Sequence, residues 1–375
     1  MYLAGRIPWN SLIDSEGATR NAGLFGDGWR STYEEQLQTI GGSVVRYWRP
    51  NGSSMLFEYE GTNVGYVLIS PIQEHALLTM GTGTDNPTII FPNGDVHTFS
   101  STGELLSIQD RNGHLTSLQY DAYNRLSNVT DPAGRQLIFN YATPTSTVVS
   151  SVQDAVGVIA QYTYDGSPSP HLLSVAYADN SSIQFTYTGN LITQVADGTG
   201  AVLETHTYNS AGQGLTSAEA GGVNAVTVQS YASGTTGTSI QDSLGNSSTY
   251  TPILQGGRSY IAGISGNGCS TCGGRTTQSF QYDPNGNMLS KTDSLSNTTT
   301  FTYDVNGDML TKSTPVGDGT TQQYSWTYNQ FGEVLTSTDP LGHTTTNVYD
   351  AAGDPPRPME ASFPTPTIQS ANRSP

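Results

Sequence analysis

"FQYDPNGNMLSKTDSLSNTTTFTYDVNGDMLTKST", running from Phe280 to Thr314, states one pattern twice. Tyr282-Asp283 is followed by Asn285-Gly286, and 21 residues later Tyr303-Asp304 is followed by Asn306-Gly307. Working outward on the aromatic that closes each unit gives Phe99, Tyr120, Tyr141, Tyr164, Tyr187, Tyr208, Tyr231, Tyr250, Tyr282, Tyr303, Tyr328 and Tyr349. The steps are 21, 21, 23, 23, 21, 23, 19, 32, 21, 25 and 21 residues. Spacing this regular marks a short unit that stacks on its neighbours, each completing the core of the next.

Two turns recur inside the unit. Gly103, Gly286, Gly307, Gly332 and Gly353 each lie four residues after the aromatic, with Asn124 in that place after Tyr120. Gly, and next to it Asn, accepts the positive φ that a tight turn imposes. The second turn reads Asp131-Pro132-Ala133-Gly134 in one unit and Asp339-Pro340-Leu341-Gly342 in another. Pro presets φ at the second position of such a turn and Gly closes it. Between the turns the sequence alternates: Leu137, Phe139 and Tyr141 share a face, as do Ile183, Phe185 and Tyr187, and Tyr324, Trp326 and Tyr328. Period two between Gly/Pro turns predicts half-buried strands. The expected fold is therefore all-β, with consecutive antiparallel hairpins adding up to one long curved sheet.

Residues 99–353 form the array, with the 32-residue step pointing to an inserted Gly- and Cys-bearing loop at about 253–277. Residues 1–98 read as a separate β region with hairpins turning at Pro50-Asn51-Gly52 and Pro92-Asn93-Gly94; only "STYEEQLQ" (31–38) suits a helical turn. Residues 354–375 are Pro-rich without alternation and are expected to be a disordered tail.

Composition narrows the function classes. There are 42 Gly, 19 Pro and 21 Tyr, while charged residues are 12% of the chain and only Lys291 and Lys312 are lysines. That suits strands and turns rather than helices. A net charge of −17 repels phosphate, so nucleic acid and anionic membrane surfaces are not expected partners. No apolar run approaches the ~18 residues of a membrane span, and the first residues do not read as a signal peptide.

Candidate chemistry is sparse. Cys269 and Cys272 in "GNGCSTCGG" are half of a zinc site or a redox pair, but the six His are scattered singly, so a local disulfide or two free thiols is the favoured reading. Asp304, Asn306 and Asp308 have the spacing of a calcium loop, yet Met309 and Pro315 stand where Gly and Glu would be required, which leaves turn chemistry. Asp131, Asp293 and Asp339 recur at equivalent places, as folding residues do and a catalytic residue does not. The motifs of zincins, serine hydrolases and nucleotide binders are absent from the sequence. No enzyme and no cofactor is expected. A sheet rich in tyrosine could also bind sugars by ring stacking, which makes a surface glycan-binding or adhesion module the alternative.

"YDAYNRLSNVTDPAGRQLIFNY" (Tyr120–Tyr141) resembles the YD repeat of bacterial RHS proteins. So does the lead-in "IPWNSLIDSEGATRNAGLFGDGWRSTYEEQL", with its Phe-Gly-x-Gly-Trp from Phe25 to Trp29. The resemblance covers about residues 20–353. It implies a β-strip spiralling into a hollow shell around a C-terminal toxin or effector, and a secreted or cell-surface protein of bacterial competition. By the same resemblance, the partners are a toxin domain or further repeats. The family's closing segment, with its self-cleaving aspartyl motif, and the toxin domain after it are not seen in the sequence. A front portion, a degenerate copy or an incomplete gene is therefore expected. A strip of eleven hairpins would be on the order of 100 Å long and close a ring roughly 30 Å across, too narrow to enclose a domain of about 100 residues alone.

Overall fold

The computed structural model describes residues 23–231, 237–255, 258–266, 277–317, 319–329 and 331–349. These residues form a single 29-stranded sheet. Its strands run from Gln36–Ile40 to Thr344–Thr346, and each pairs antiparallel with the next in the chain. The only helical features among the described residues are two short 3-10 turns, Ile72–Glu74 and Ala220–Gly222. No helix there is long and apolar enough to cross a membrane. Sequential hairpins are what short strands between tight turns must give: each turn returns the chain beside the strand it has just left.

One face of the strip carries the apolar residues. In the strand Gln136–Tyr141, Phe139 is buried and Tyr141 half-buried; in Leu126–Thr130 the buried residues are Leu126 and Val129. The opposite face is hydroxyl and amide. There Thr302 and Thr311 bond at 2.7 Å, as do Thr327 and Thr336. A one-layer sheet has no second sheet to cover its apolar face, and here residues 23–37 do so over part of its length. The Phe25 ring lies 4.8 Å from that of Tyr162, and Trp29 lies 4.8 Å from Phe185. The Trp29 indole N–H donates to the Tyr187 hydroxyl at 3.1 Å. The core follows this cover: its buried members extend from Phe25 to Ile192.

The strip also meets itself. Gln73, in the turn after the strand Tyr66–Ser70, donates to Asn287 Oδ1 at 2.5 Å and to the Asn285 carbonyl at 3.3 Å. His75 Nε2 lies 2.9 Å from Asp308 Oδ1. The turn at 285–287 comes nineteen strands after the turn at 71–76. At ~4.8 Å per strand that is an arc of roughly 90 Å, or a ring about 30 Å across. The sheet is therefore curved and open, with its later turns resting on an early one.

Two expectations are corrected. Residues 31–38 contain no helical turn: Gln36–Ile40 is a strand paired with Val44–Trp48. The two glutamates face separate structural partners, since Glu34 accepts the Leu24 N–H at 3.0 Å and Glu35 the Tyr47 hydroxyl at 2.8 Å. The 32-residue step is not simply an inserted loop. Ser247–Gln255 and Arg258–Gly266 pair as a hairpin of nine-residue strands, so 253–255 and 258–266 of the expected loop are sheet. Cys269, Cys272 and Gly353, and the tail from 354, lie outside the described residues.

Candidate functional site

The repeated residues converge on one device. The Tyr141 hydroxyl donates to the Leu126 carbonyl at 2.9 Å, fifteen residues back. Tyr120 does the same to Leu105 (2.8 Å), Tyr164 to Val149 (2.7 Å) and Tyr187 to Leu172 (3.0 Å), and Tyr208 reaches Ile192, sixteen back, at 2.5 Å. In the later units Tyr303 donates to Met288 (2.9 Å), Tyr328 to Met309 (2.7 Å) and Tyr349 to Val334 (2.8 Å). Tyr231 donates to the Gly214 carbonyl. Tyr282 reaches Ile261 at 3.0 Å across the longer hairpin, with the Tyr260 ring 4.9 Å away.

The acceptor is not arbitrary. Leu126 is the residue paired with Tyr120, the preceding aromatic, and the ladder shifts register beside it. Val149 likewise pairs with Tyr141, Leu172 with Tyr164 and Met309 with Tyr303, each at a register shift. A β-bulge interrupts the hydrogen-bond ladder, and a backbone carbonyl there needs another donor. Apart from Tyr282, whose acceptor Ile261 pairs with Pro252, each of these tyrosines thus clamps the bulge at its predecessor. Phe99, first in the series, has no hydroxyl and is fully buried. Burial pushes the Tyr141 and Tyr164 phenols well above their ordinary range, so each stays a donor.

The two turns of the unit share one chemistry. Asp121 Oδ1 accepts the N–H groups of Tyr123 (2.9 Å) and Arg125 (3.0 Å), while Oδ2 takes the Arg125 guanidinium at 2.6 Å. Asp131 does this with Ala133 and Arg135, Asp293 with Leu295 and Asn297, and Asp339 with Leu341 and His343. Asp304 Oδ1 caps Asn306 and Asp308 in the same way, so the calcium-like spacing is turn capping. The Arg125 side-chain bond holds the Asp121 carboxyl below the usual range, and that of Arg135 does so for Asp131. At the turn tips φ is +88° at Gly286, +86° at Gly307, +76° at Gly332 and +58° at Asn124.

A cleft of about 710 Å³ lies between residues 24–38 and the rim turns at 123–126 and 144–147. Its carboxylates are spent on structure: Glu35 lies 2.6 Å from His97 Nδ1, and Glu104 accepts Asn124 at 2.7 Å. Among the described residues no group of three or more His, Cys, Asp or Glu is placed to hold a metal ion. The sequence reading missed the tyrosine–carbonyl bond and the Asp cap. The cap had a visible signal in the Arg, His or Asn four residues after Asp121, Asp131, Asp293 and Asp339. The clamp's fifteen-residue reach had none, because it joins residues in different hairpins.

The model of the family described as RHS Repeat matches residues 99–136 and 282–321. No curated protein matches the chain. Among solved structures, the crystal structure of TcdB2-TccC3-Cdc42 is 12% identical with a TM-score of 0.43; the match covers 82% of this chain and 20% of that one. For TcdB2-TccC3 without its hypervariable C-terminal region the identity is 13%, the TM-score 0.43 and the coverage 85% and 19%. The chain spans about a fifth of the length of these structures. Two stretches match the RHS repeat directly, and the Tyr, Asp and Gly geometry of those stretches runs through the units between and beyond them: the chain carries RHS/YD repeats.

Proposed function

We propose that this chain is a length of wall in an RHS-type β-shell of the kind that surrounds a toxin or effector, acting by structure and not by catalysis. The observation that carries the reading is the return of the strip onto itself at Gln73–Asn287 and His75–Asp308. An open strip that comes back against itself after about one revolution makes a wall, and a wall has an inside. The spent carboxylates and the recurrence of each polar device from unit to unit also favour architecture over catalysis.

A ring roughly 30 Å across is close to the width of a 100-residue domain by its expected radius of gyration. Enclosing such a cargo takes more wall than this chain supplies, so further repeats or a partner complete the shell. On this reading residues 1–98 lead into the strip, 99–353 are the repeat array and 354–375 a tail, and the assembly works in the secreted or surface-exposed setting of bacterial competition. The test is co-expression with the polypeptide encoded directly downstream. The expected result is co-purification and slowed proteolysis of that polypeptide. Digestion at the same rate with and without the chain would overturn the proposal.

A further inference from the structure

The residue two before each clamp tyrosine allows the early and late repeats to be compared. Leu118, Phe139 and Tyr162 stand there in the early repeats and are 5%, 3% and 7% exposed. A segment of the chain itself, folded in successive tight turns, lies over this stretch: Val149 N–H donates to the Leu24 carbonyl and Asp27 N–H to that of Pro170, both at 2.8 Å, while Phe25 and Trp29 meet Tyr162 and Phe185. Phe280, Phe301 and Trp326 hold the same place before Tyr282, Tyr303 and Tyr328, but are only half-buried. On that face Leu289 is 40% and Tyr324 36% exposed, with the Tyr324 and Trp326 rings stacked at 6.2 Å and 15°.

Both lysines of the chain are on this open face. Lys291 pairs across the sheet with Phe280 and Thr299, and Lys312 with Phe301 and Tyr324. They are 21 residues apart in successive units of a protein whose net charge is −17. From strand spacing they lie on the order of 10 Å apart. Neither forms an ion pair among the described residues. Asp293, which interacts electrostatically with Lys291, is engaged by Asn297 Nδ2 at 3.0 Å and by the Leu295 and Asn297 N–H groups. The opposite face of the same strands bears only hydroxyl and amide side chains at Gln281, Ser290, Thr300, Thr302, Thr311 and Ser313.

We propose that the tyrosine face of the strands between Gln278 and Tyr328 seats an acidic polypeptide segment whose aromatic or aliphatic side chains lie on Phe280, Phe301, Tyr324 and Trp326, its carboxylates meeting Lys291 and Lys312. This rests on the shell reading, since the segment belongs to what the wall encloses. Two features choose the occupant. The molecule already seats a polypeptide segment, through Phe25 and Trp29, on the equivalent face of earlier repeats. The paired ammonium groups, in a molecule otherwise acidic, select an anionic partner and repel a basic one.

The test uses the full chain and a fluorescein-labelled synthetic peptide alternating Glu with Phe and Tyr, followed by anisotropy. Expected are saturable, salt-sensitive binding, a loss of roughly tenfold or more in the Lys291→Glu/Lys312→Glu double variant, and a clear loss in Trp326→Ala. The lysines are on an open face, so the double variant keeps the parent's circular dichroism and melting. Lys291→Gln/Lys312→Gln, with an intermediate loss, separates missing attraction from added repulsion. Equal binding of a peptide with Lys in place of Glu would overturn the proposal. So would an acidic glycan, alginate, displacing the peptide from these residues, or binding that appears only after removal of residues 354–375. Because no downstream cargo is used, failure here is distinguishable from failure of the shell reading.

Discussion

Tyr141→Phe removes one oxygen and leaves the ring. In the parent that oxygen donates to the Leu126 carbonyl at 2.9 Å, beside the register shift where Leu126 pairs with Tyr120. A neutral hydrogen bond contributes about 1 kcal/mol net, and leaving its buried acceptor unpaired costs about 1–3 kcal/mol. The Arg125 guanidinium, 4.0 Å from the Tyr141 ring centroid, keeps its contact with Phe. The expected loss is therefore ~1–2 kcal/mol, against ~3–5 kcal/mol for Tyr141→Ala, which also deletes the ring. Tyr123→Phe serves as control, because that ring is 59% exposed. Urea unfolding followed by far-ultraviolet circular dichroism gives the free energies. Hydrogen exchange on Leu126–Thr130 and Gln136–Tyr141 shows whether the loss is local, as nearest-neighbour coupling in a repeat array requires. If Tyr141→Phe matched the Tyr123→Phe control within a few tenths of a kcal/mol, the hydroxyl would be no clamp, and the account of why the repeat keeps Tyr rather than Phe would fall.

Alkali should unfold the array. Burial raises the phenols of Tyr120, Tyr141, Tyr164, Tyr303 and Tyr328, and pushes Tyr162 up to about 12, so above pH ~10 the unfolded chain releases protons that the folded one keeps. Stability is then present below that pH and lost as pH rises toward the folded values; phenolate absorbance that rose well before the circular dichroism changed would contradict this. Among the turn glycines, Gly134→Ala, at φ +78° with open space for a Cβ, should cost roughly 1–2 kcal/mol from backbone conformation alone. Gly307→Ala should cost more, because its Cβ would come 2.8 Å from Gln73 Cγ, and equal midpoints in urea would refute that ranking. His75→Ala should raise hydrogen exchange at 71–76 and at 304–308 together, since His75 Nε2 and Asp308 Oδ1 join them; a change on one side only would count against the closure.

The local half of this protein was legible in the sequence because it is governed by neighbours. Alternation in "QLIFNY", Gly at the tips and Pro at the turn starts sufficed for hairpins, and their repetition for one continuous sheet, since period-two strands between tight turns have no other way to pair. The resemblance of Tyr120–Tyr141 to the YD repeat pointed the same way. What only the tertiary structure decided joins residues the chain holds far apart. The tyrosine hydroxyl serves a carbonyl fifteen residues back because each bulge leaves an acceptor for the following hairpin. The glutamates of "STYEEQLQ" looked helical, yet strand pairing and contacts from Leu24, Tyr47 and His97 outweigh so weak a local preference. Gln73 and His75 look unremarkable until curvature, accumulated over nineteen strands to Asn287 and twenty-one to Asp308, brings these onto them. Curvature is a sum of small twists and bulges along the strip. No single stretch of sequence encodes it, which is why the wall could be read residue by residue and its closure could not.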